Sequence, residues 1–227
     1  MIKRFIKFQE KFKSEILGND LLNERLEKIF KLSYFGGFLM YYLINTLGID
    51  LWFVYVIYQS FIIAFILIFT MQNFRYIQDS ISDFLFIGTV STITIGVAFW
   101  VINYQLISMA YLSYIVMVII MTIIWTLLSG MCDLKVAIIS NAILAVILNI
   151  TLHINSFVWK IFQANNINIG ISESIKNLNI SEYEYMDLAI NLALSPMLVM
   201  VTISALFCTY KEYFYKEDPE NVDEEKL

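Results

Sequence analysis

Residues 140–153, SNAILAVILNITLH, lie inside a run of 23 residues, 136–158, that carries no Asp, Glu, Lys or Arg. As a helix rising 1.5 Å per residue, that run would reach ~35 Å, more than the ~30 Å hydrocarbon layer of a bilayer. It is too long for a strand and too continuously apolar for the surface helix of a water-soluble domain. The same stretch holds Asn141, Asn149 and His153, the only histidine in the chain. At 100° per residue, Ala142, Ala145, Asn149 and His153 fall within about 80° of arc, with Asn141 beside them. Ser140 and Thr151 point the other way, where a hydroxyl can bond back to its own helix.

Five further apolar spans surround this one, at 32–48, 51–71, 84–104, 110–130 and 188–210. The chain is 59% hydrophobic and 15% charged, where a soluble domain carries about 25% charge. The expected fold is therefore all-α, a polytopic transmembrane helical bundle of about six spans occupying 32–210. Only Ile49 and Asp50 separate the first two spans, so five spans, or a hairpin that dips into the membrane, is the alternative count.

The net charge of −5 is unevenly distributed. In the arm 1–31, Ile2, Phe5, Ile6, Phe12 and Ile16 share one helical face, and Lys3, Arg4, Lys7 and Lys11 the other. That pattern predicts an N-terminal amphipathic interfacial helix, its basic residues turned to the anionic headgroups of the lipid bilayer. No apolar core or small-residue cleavage site follows, so the arm does not read as a cleaved leader. Gly18, Asn19 and Asp20 are expected to break it before a second short stripe of Leu21, Leu22, Leu26 and Ile29. The tail 211–227 is acidic and reads as a solvated cytoplasmic extension. Neither end has the character of a nucleic-acid-binding segment.

Cytoplasmic loops are enriched in Lys and Arg. With both termini inside the cell membrane, the inner segments hold the basic arm, Arg75, Lys135, Lys211, Lys216 and Lys226, and the outer loops hold only Lys160 and Lys176. The longest connection, 155–187, is then an outer loop, either a plain connector or a cover over an outward-facing vestibule.

No acidic or basic residue lies at the middle of a span, which disfavours a charge relay of the kind proton pumps use. Neutral polar residues do occur there. Asn45, Gln59, Asn141, Asn149, His153, Asn191 and Ser195 are the candidate path or ligand-facing residues, because an amide cannot satisfy itself on its own helix as a hydroxyl can. The competing reading is packing, in which the same groups hydrogen-bond between helices. A lone His and two dispersed cysteines, Cys132 and Cys208, give no metal site, and nothing calls for a cofactor.

Membrane cysteine proteases of Gram-positive quorum sensing share the small size and basic arm, but they place His closely before Cys. Here Cys132 precedes His153 by most of a helix, and no catalytic constellation remains. The order of arm, six spans, short inner connection and long outer loop is similar to that of the membrane subunits of ATP-driven exporters. That resemblance covers topology only, with a shorter first outer loop, and carries no residues over. The expectation is a transport-related channel or permease subunit, passing a small solute or ion as a homo-oligomer or with a partner subunit. The alternative is a non-transporting accessory, sensor or immunity-type membrane protein acting through a protein partner.

Overall fold

The structure, a computed structural model, describes residues 2–17, 20–47, 52–77, 79–105, 110–167 and 181–215, with side chains for all but 16–17, 20–22, 45, 52, 55–56, 99–105 and 110–114. Seven helices carry them: α1 (Ile2–Leu17), α2 (Asp20–Leu47), α3 (Trp52–Arg75), α4 (Ile81–Gln105), α5 (Ala110–Ser129), α6 (Leu134–Ala164) and α7 (Glu182–Tyr210). The last runs into a π-helical turn, Lys211–Tyr215. No strand occurs among the described residues.

Local sequence sets the ends of the two longest core helices. Asp133 caps α6 by accepting the N–H of Lys135 at 2.9 Å, one of the donors that a helix start leaves without a partner. The helix stops at Asn165, and Asn166 turns the chain out with a φ of 52°, a left-handed conformation that Asn tolerates. α7 opens with a capping box, in which Ser181 accepts the N–H of Glu184 and the Glu184 carboxylate accepts the N–H of Ser181.

Helices α3 to α7 build the main core. At its centre three aromatic rings from three helices meet edge to face: Phe74 of α3 lies 5.3 Å from Phe84 of α4 and 5.0 Å from Trp125 of α5. Met197, Met200 and Val201 put one face of α7 fully inside. α4 comes close to α7 at Gly96, where a Cβ would stand 2.6 Å from the Met197 sulfur, so that a larger residue there would make the thioether shift. α6 and α7 run antiparallel, since Asn141 pairs with Ser204 near one end and Ser156 with Asp187 near the other.

The outside of this bundle is as apolar as its inside. Ile119 and Ile123 on α5, Ile143, Ile147, Ile150 and Ile154 on α6, and Val199, Ile203 and Leu206 on α7 are all exposed. A continuous Ile- and Val-rich exterior suits hydrocarbon and would be a liability in water. Among the described residues four helical segments are long and apolar enough to cross a membrane: Ile57–Arg75, Ile81–Ala98, Leu134–Ala164 and Glu182–Tyr215. They correspond to the expected spans at 51–71, 84–104, 136–158 and 188–210.

The span expected at 110–130 coincides with α5, Ala110–Ser129, whose apolar stretch with described side chains is Ile115–Ser129. The span expected at 32–48 differs: residues 32–47 belong to α2, which continues unbroken from its charged first half. The ion pairs Glu24–Lys28 and Glu27–Lys31, both 2.6 Å at i,i+4 spacing, support that first half, and no proline or glycine intervenes before Gly36 to stop the helix. Lys31 also holds the Glu27 carboxyl below its ordinary range. α2 leans on α3 through stacked Phe30 and Phe65, 4.9 Å apart, and a satellite cluster of Ile44, Val54 and Tyr58.

α1 spends part of its apolar face on the bundle. Ile6 is fully buried, Phe12 packs on the main core, and Phe5 meets Phe207 of α7 edge to face at 5.2 Å. Between them Gln9, 1% exposed, sends its amide Nε2 to the carbonyls of Thr126 at 3.0 Å and Leu127 at 3.3 Å in the last turn of α5. Glu10 reaches Lys211 at 3.7 Å. Lys3, Arg4, Lys7 and Lys11 remain on the exposed side, with Ile2 and Phe8. The expected break at Gly18 and Asn19, and the tail beyond Tyr215, lie outside the described residues.

Candidate functional site

The polar residues of the stretch 140–153 part company in the fold. Asn141 is fully buried and belongs to the core: its Oδ1 accepts the indole N–H of Trp125 at 3.0 Å, and its Nδ2 donates to the Ser204 hydroxyl at 3.3 Å. Three helices, α5, α6 and α7, are thereby joined through one amide, and the indole N–H that an apolar core would otherwise strand is satisfied. This is the packing role, and Asn141 takes no part in the groove described next.

Two turns further on, Asn149 is exposed on α6, and its backbone carbonyl lies 2.8 Å from Nδ1 of His153. A carbonyl can only accept, so Nδ1 carries the proton and Nε2 of the neutral ring is an acceptor. His153 is itself exposed and opens into a groove of about 360 Å³ between α6 and α7, lined by Leu152, His153, Ser156, Phe157 and Lys160 on α6 and by Asn191 and Ser195 on α7. The α6 residues recur at i,i+4, and so do Asn191 and Ser195, which brings each set onto one helical face. Three of the candidate residues, His153, Asn191 and Ser195, thus meet across two helices separated in sequence.

A second set of contacts fixes the groove's upper end. Asp187 in α7 accepts from the Ser156 hydroxyl at 3.2 Å and from the Asn155 amide at 3.5 Å, while the Trp159 indole donates to Asn155 Oδ1 at 2.9 Å. Asp187 Oδ1 is thereby engaged with neutral donors. Lys160 makes no ion pair with any described residue. Along the walls the Lys160 ammonium only donates, while the Asn191 amide and the Ser195 hydroxyl can donate or accept.

Gln59 on α3 is partly buried and lies away from this groove. The Asn45 side chain lies outside the described residues. The long connection expected at 155–187 is helical as far as Ala164, so its first ten residues extend α6, and the chain is described again from Ser181, one residue before α7. Tyr183 folds back across this gap, its hydroxyl donating to the Ile167 carbonyl. Residues 168–180 lie outside the described set.

Two residues stand out here that the sequence reading did not single out. Ser156 lines the groove while holding Asp187, and its position one turn from His153 was the available signal. Gln9 is an uncharged amide whose neighbours at i−4, i−3 and i+3 are Phe5, Ile6 and Phe12, a placement that marks the buried side of α1. Cys132, in the turn between α5 and α6, is buried, and burial pushes its thiol up to about 12. It stands ~29 Å along α6 from His153, as the helical rise from Leu134 requires, so the two do not form a pair. Among the described residues no group of three His, Cys, Asp or Glu side chains is placed to hold a metal ion.

Long apolar helices, an apolar exterior and a polar groove at one end of an antiparallel helix pair define a membrane-embedded helical bundle. Comparison with protein-family models, with curated proteins and with solved structures found no match for the chain.

Proposed function

We propose that the chain is a multi-pass protein of the cell membrane, with about six spans and both termini cytoplasmic, that acts in transport. In this reading it is a channel or permease subunit, and a small solute or ion enters along the groove between α6 and α7. The observation that carries it is the convergence of His153, Asn191 and Ser195, each in an apolar span, on one groove. In hydrocarbon, such groups cost free energy unless they are hydrated or covered. A hydrated recess that starts at a membrane boundary is what the entrance to a polar path requires.

The placement of Arg75 and Lys135 at one end of the bundle, and of Lys160 at the other, supports the orientation. Because the groove opens sideways, a second copy or a partner subunit supplies the missing wall. Asn149 on α6 and Thr202 on α7 are also exposed, which gives that partner polar groups to meet further down.

The test is reconstitution of the full chain in liposomes, with glycerol, inorganic phosphate and potassium chloride as the probes. At least one should cross faster than in protein-free vesicles, and Asn191→Leu with Ser195→Leu should abolish the excess. Unchanged flux in that double variant would refute the groove as the path.

The lateral opening also favours a second reading, a non-transporting accessory, sensor or immunity-type protein whose exposed groove receives a partner's helix. Under it no probe crosses, and a partner captured in the membrane is lost on Asn191→Leu.

A further inference from the structure

The depth of the groove and the chemistry of its walls indicate what it holds. If the hydrocarbon layer begins at Val136 on α6, ~20 residues of helix carry the chain across it, to Asn155 or Ser156. Counting the same ~20 residues back from Tyr210 along α7 leads to Asn191. The two helices therefore place the groove at the same boundary, the one remote from α1. His153 and Ser195 lie about one turn inside the hydrocarbon edge, Ser156 and Asn191 at it, and Lys160 about one turn beyond, at the level of lipid phosphates.

Its walls ask for a guest with acceptors. The Lys160 ammonium can only donate, and the Asn191 amide and the Ser195 hydroxyl can each donate to a guest, whereas Asp187, whose Oδ1 accepts from Asn155 and Ser156, is not among the lining residues. His153 adds a nitrogen acceptor: its Nδ1 is committed to the Asn149 carbonyl, which leaves Nε2 to accept in the neutral ring. An anion that also carries a hydroxyl satisfies both kinds of group. The groove has an apolar side as well: Leu152 lines it, and Phe157, 64% exposed, stands at its rim with Ile150 and Ile154 exposed below. A dissolved ion has no use for that rim, while an acyl chain does.

We propose that this groove binds the headgroup of an anionic, hydroxyl-bearing phospholipid or a similar membrane amphiphile. The phosphate lies toward Lys160 and Asn191, the hydroxyl at His153, and the chains run down the Ile150–Ile154 face of α6. The inference rests on the groove being the functional recess named above, and it gives that recess a lipid ligand at the membrane boundary.

The experiment uses the full chain in phosphatidylcholine nanodiscs containing a trace of photoactivatable phosphatidylglycerol, phosphatidate or phosphatidylcholine, with labelled peptides mapped by mass spectrometry. Labelling of 152–160 and 191–195 should favour phosphatidylglycerol over phosphatidylcholine by roughly tenfold, the weight of one charge-assisted hydrogen bond. It should fall to the phosphatidylcholine level in Lys160→Ala, while labelling of the exposed face of α5, the internal reference for folding, stays constant. In His153→Ala, phosphatidylglycerol and phosphatidate should label equally, and a surviving preference would overturn the hydroxyl contact. Equal labelling of the groove by all three lipids, or full labelling in Lys160→Ala, would overturn the proposal. So would displacement by millimolar inorganic phosphate, which would make the ligand a free anion. Flux lost in the groove variants without any lipid preference overturns this inference alone, and lipid preference without flux overturns the transport reading alone.

Discussion

The seat of Gln9 makes a sharp prediction about how α1 is held. A Cβ built on Gly130 would stand 1.4 Å from Gln9 Nε2 and 2.1 Å from its Cδ, an overlap that the side chain can relieve only by leaving. Gly130 has no left-handed φ, so alanine meets no backbone strain there, and the three atoms nearest the new Cβ all belong to Gln9. Displacing the amide removes its bonds to the Thr126 and Leu127 carbonyls. At about 0.5–1.5 kcal/mol for each neutral bond, Gly130→Ala should weaken the docking of α1 by about 1–3 kcal/mol. In a Gln9→Ala background those three atoms are gone and the same substitution should cost almost nothing. The coupling between the two sites is then nearly the whole effect, within the range seen for residues in direct contact.

Hydrogen exchange read by mass spectrometry on peptides covering 2–17 measures this opening directly. Gly130→Ala should speed exchange there on the order of 5- to 150-fold, leave α6 unchanged, and lose its effect once Gln9 is alanine. Equal acceleration in both backgrounds would show that alanine at 130 perturbs the α5–α6 turn itself, and the account of Gln9 as the clasp would be wrong.

Asn141→Leu and Asn149→Leu make the same chemical change on the same helix and should differ in consequence. The first strands the Trp125 indole N–H in the core and should lower stability toward unfolding in mixed micelles by about 1–3 kcal/mol; the second, at an exposed position, should stay within about 0.5 kcal/mol. Equal losses would mean that Asn149 has a partner as demanding as Trp125. Cys132 sets a pH dependence: folding raises its thiol from 9.0 to about 12, so the folded state binds that proton more tightly than the unfolded state. The resulting stability is complete below pH 9.0 and is lost as pH rises from 9.0 toward about 12. Cys132→Ala should therefore flatten the loss of stability above pH 9.0, and an unchanged slope would refute burial as the cause.

The helical, membrane-embedded character of the chain was legible because length and continuity of apolar sequence are sufficient for it. The span count was less so. Residues 32–48 look like a separate element in composition, yet a helix needs a stop signal to end, and the sequence between Asp20 and Gly36 supplies none. Likewise 155–164 looked like loop because Asn155 and Ser156 follow the apolar run. Those two residues turn instead to Asp187 and Trp159, and α6 continues to Ala164. In both cases composition changed along a helix that geometry had no reason to break.

The site was harder to read for a reason specific to membranes. In water the apolar side of a helix faces the core, so periodicity tells inside from outside; in a bilayer both sides face apolar surroundings, and a hydrophobic pattern has nothing to sort. Polar residues become the only markers, and each marker has two meanings. Asn141 and Asn149 lie eight residues apart, about 80° around the helix. One points to the Trp125 indole and the Ser204 hydroxyl, the other to the exterior. No rule of spacing separates them, because the difference lies in what α5 and α7 bring to that depth. The groove residues were partly legible since His153 and Asn191 stand near opposite ends of antiparallel helices, where a boundary at one depth must collect them. Lys160 belongs with them by the same reasoning: a cation one turn beyond the hydrocarbon edge, on the face that already carries His153, turns a neutral recess into one with a preference for charge.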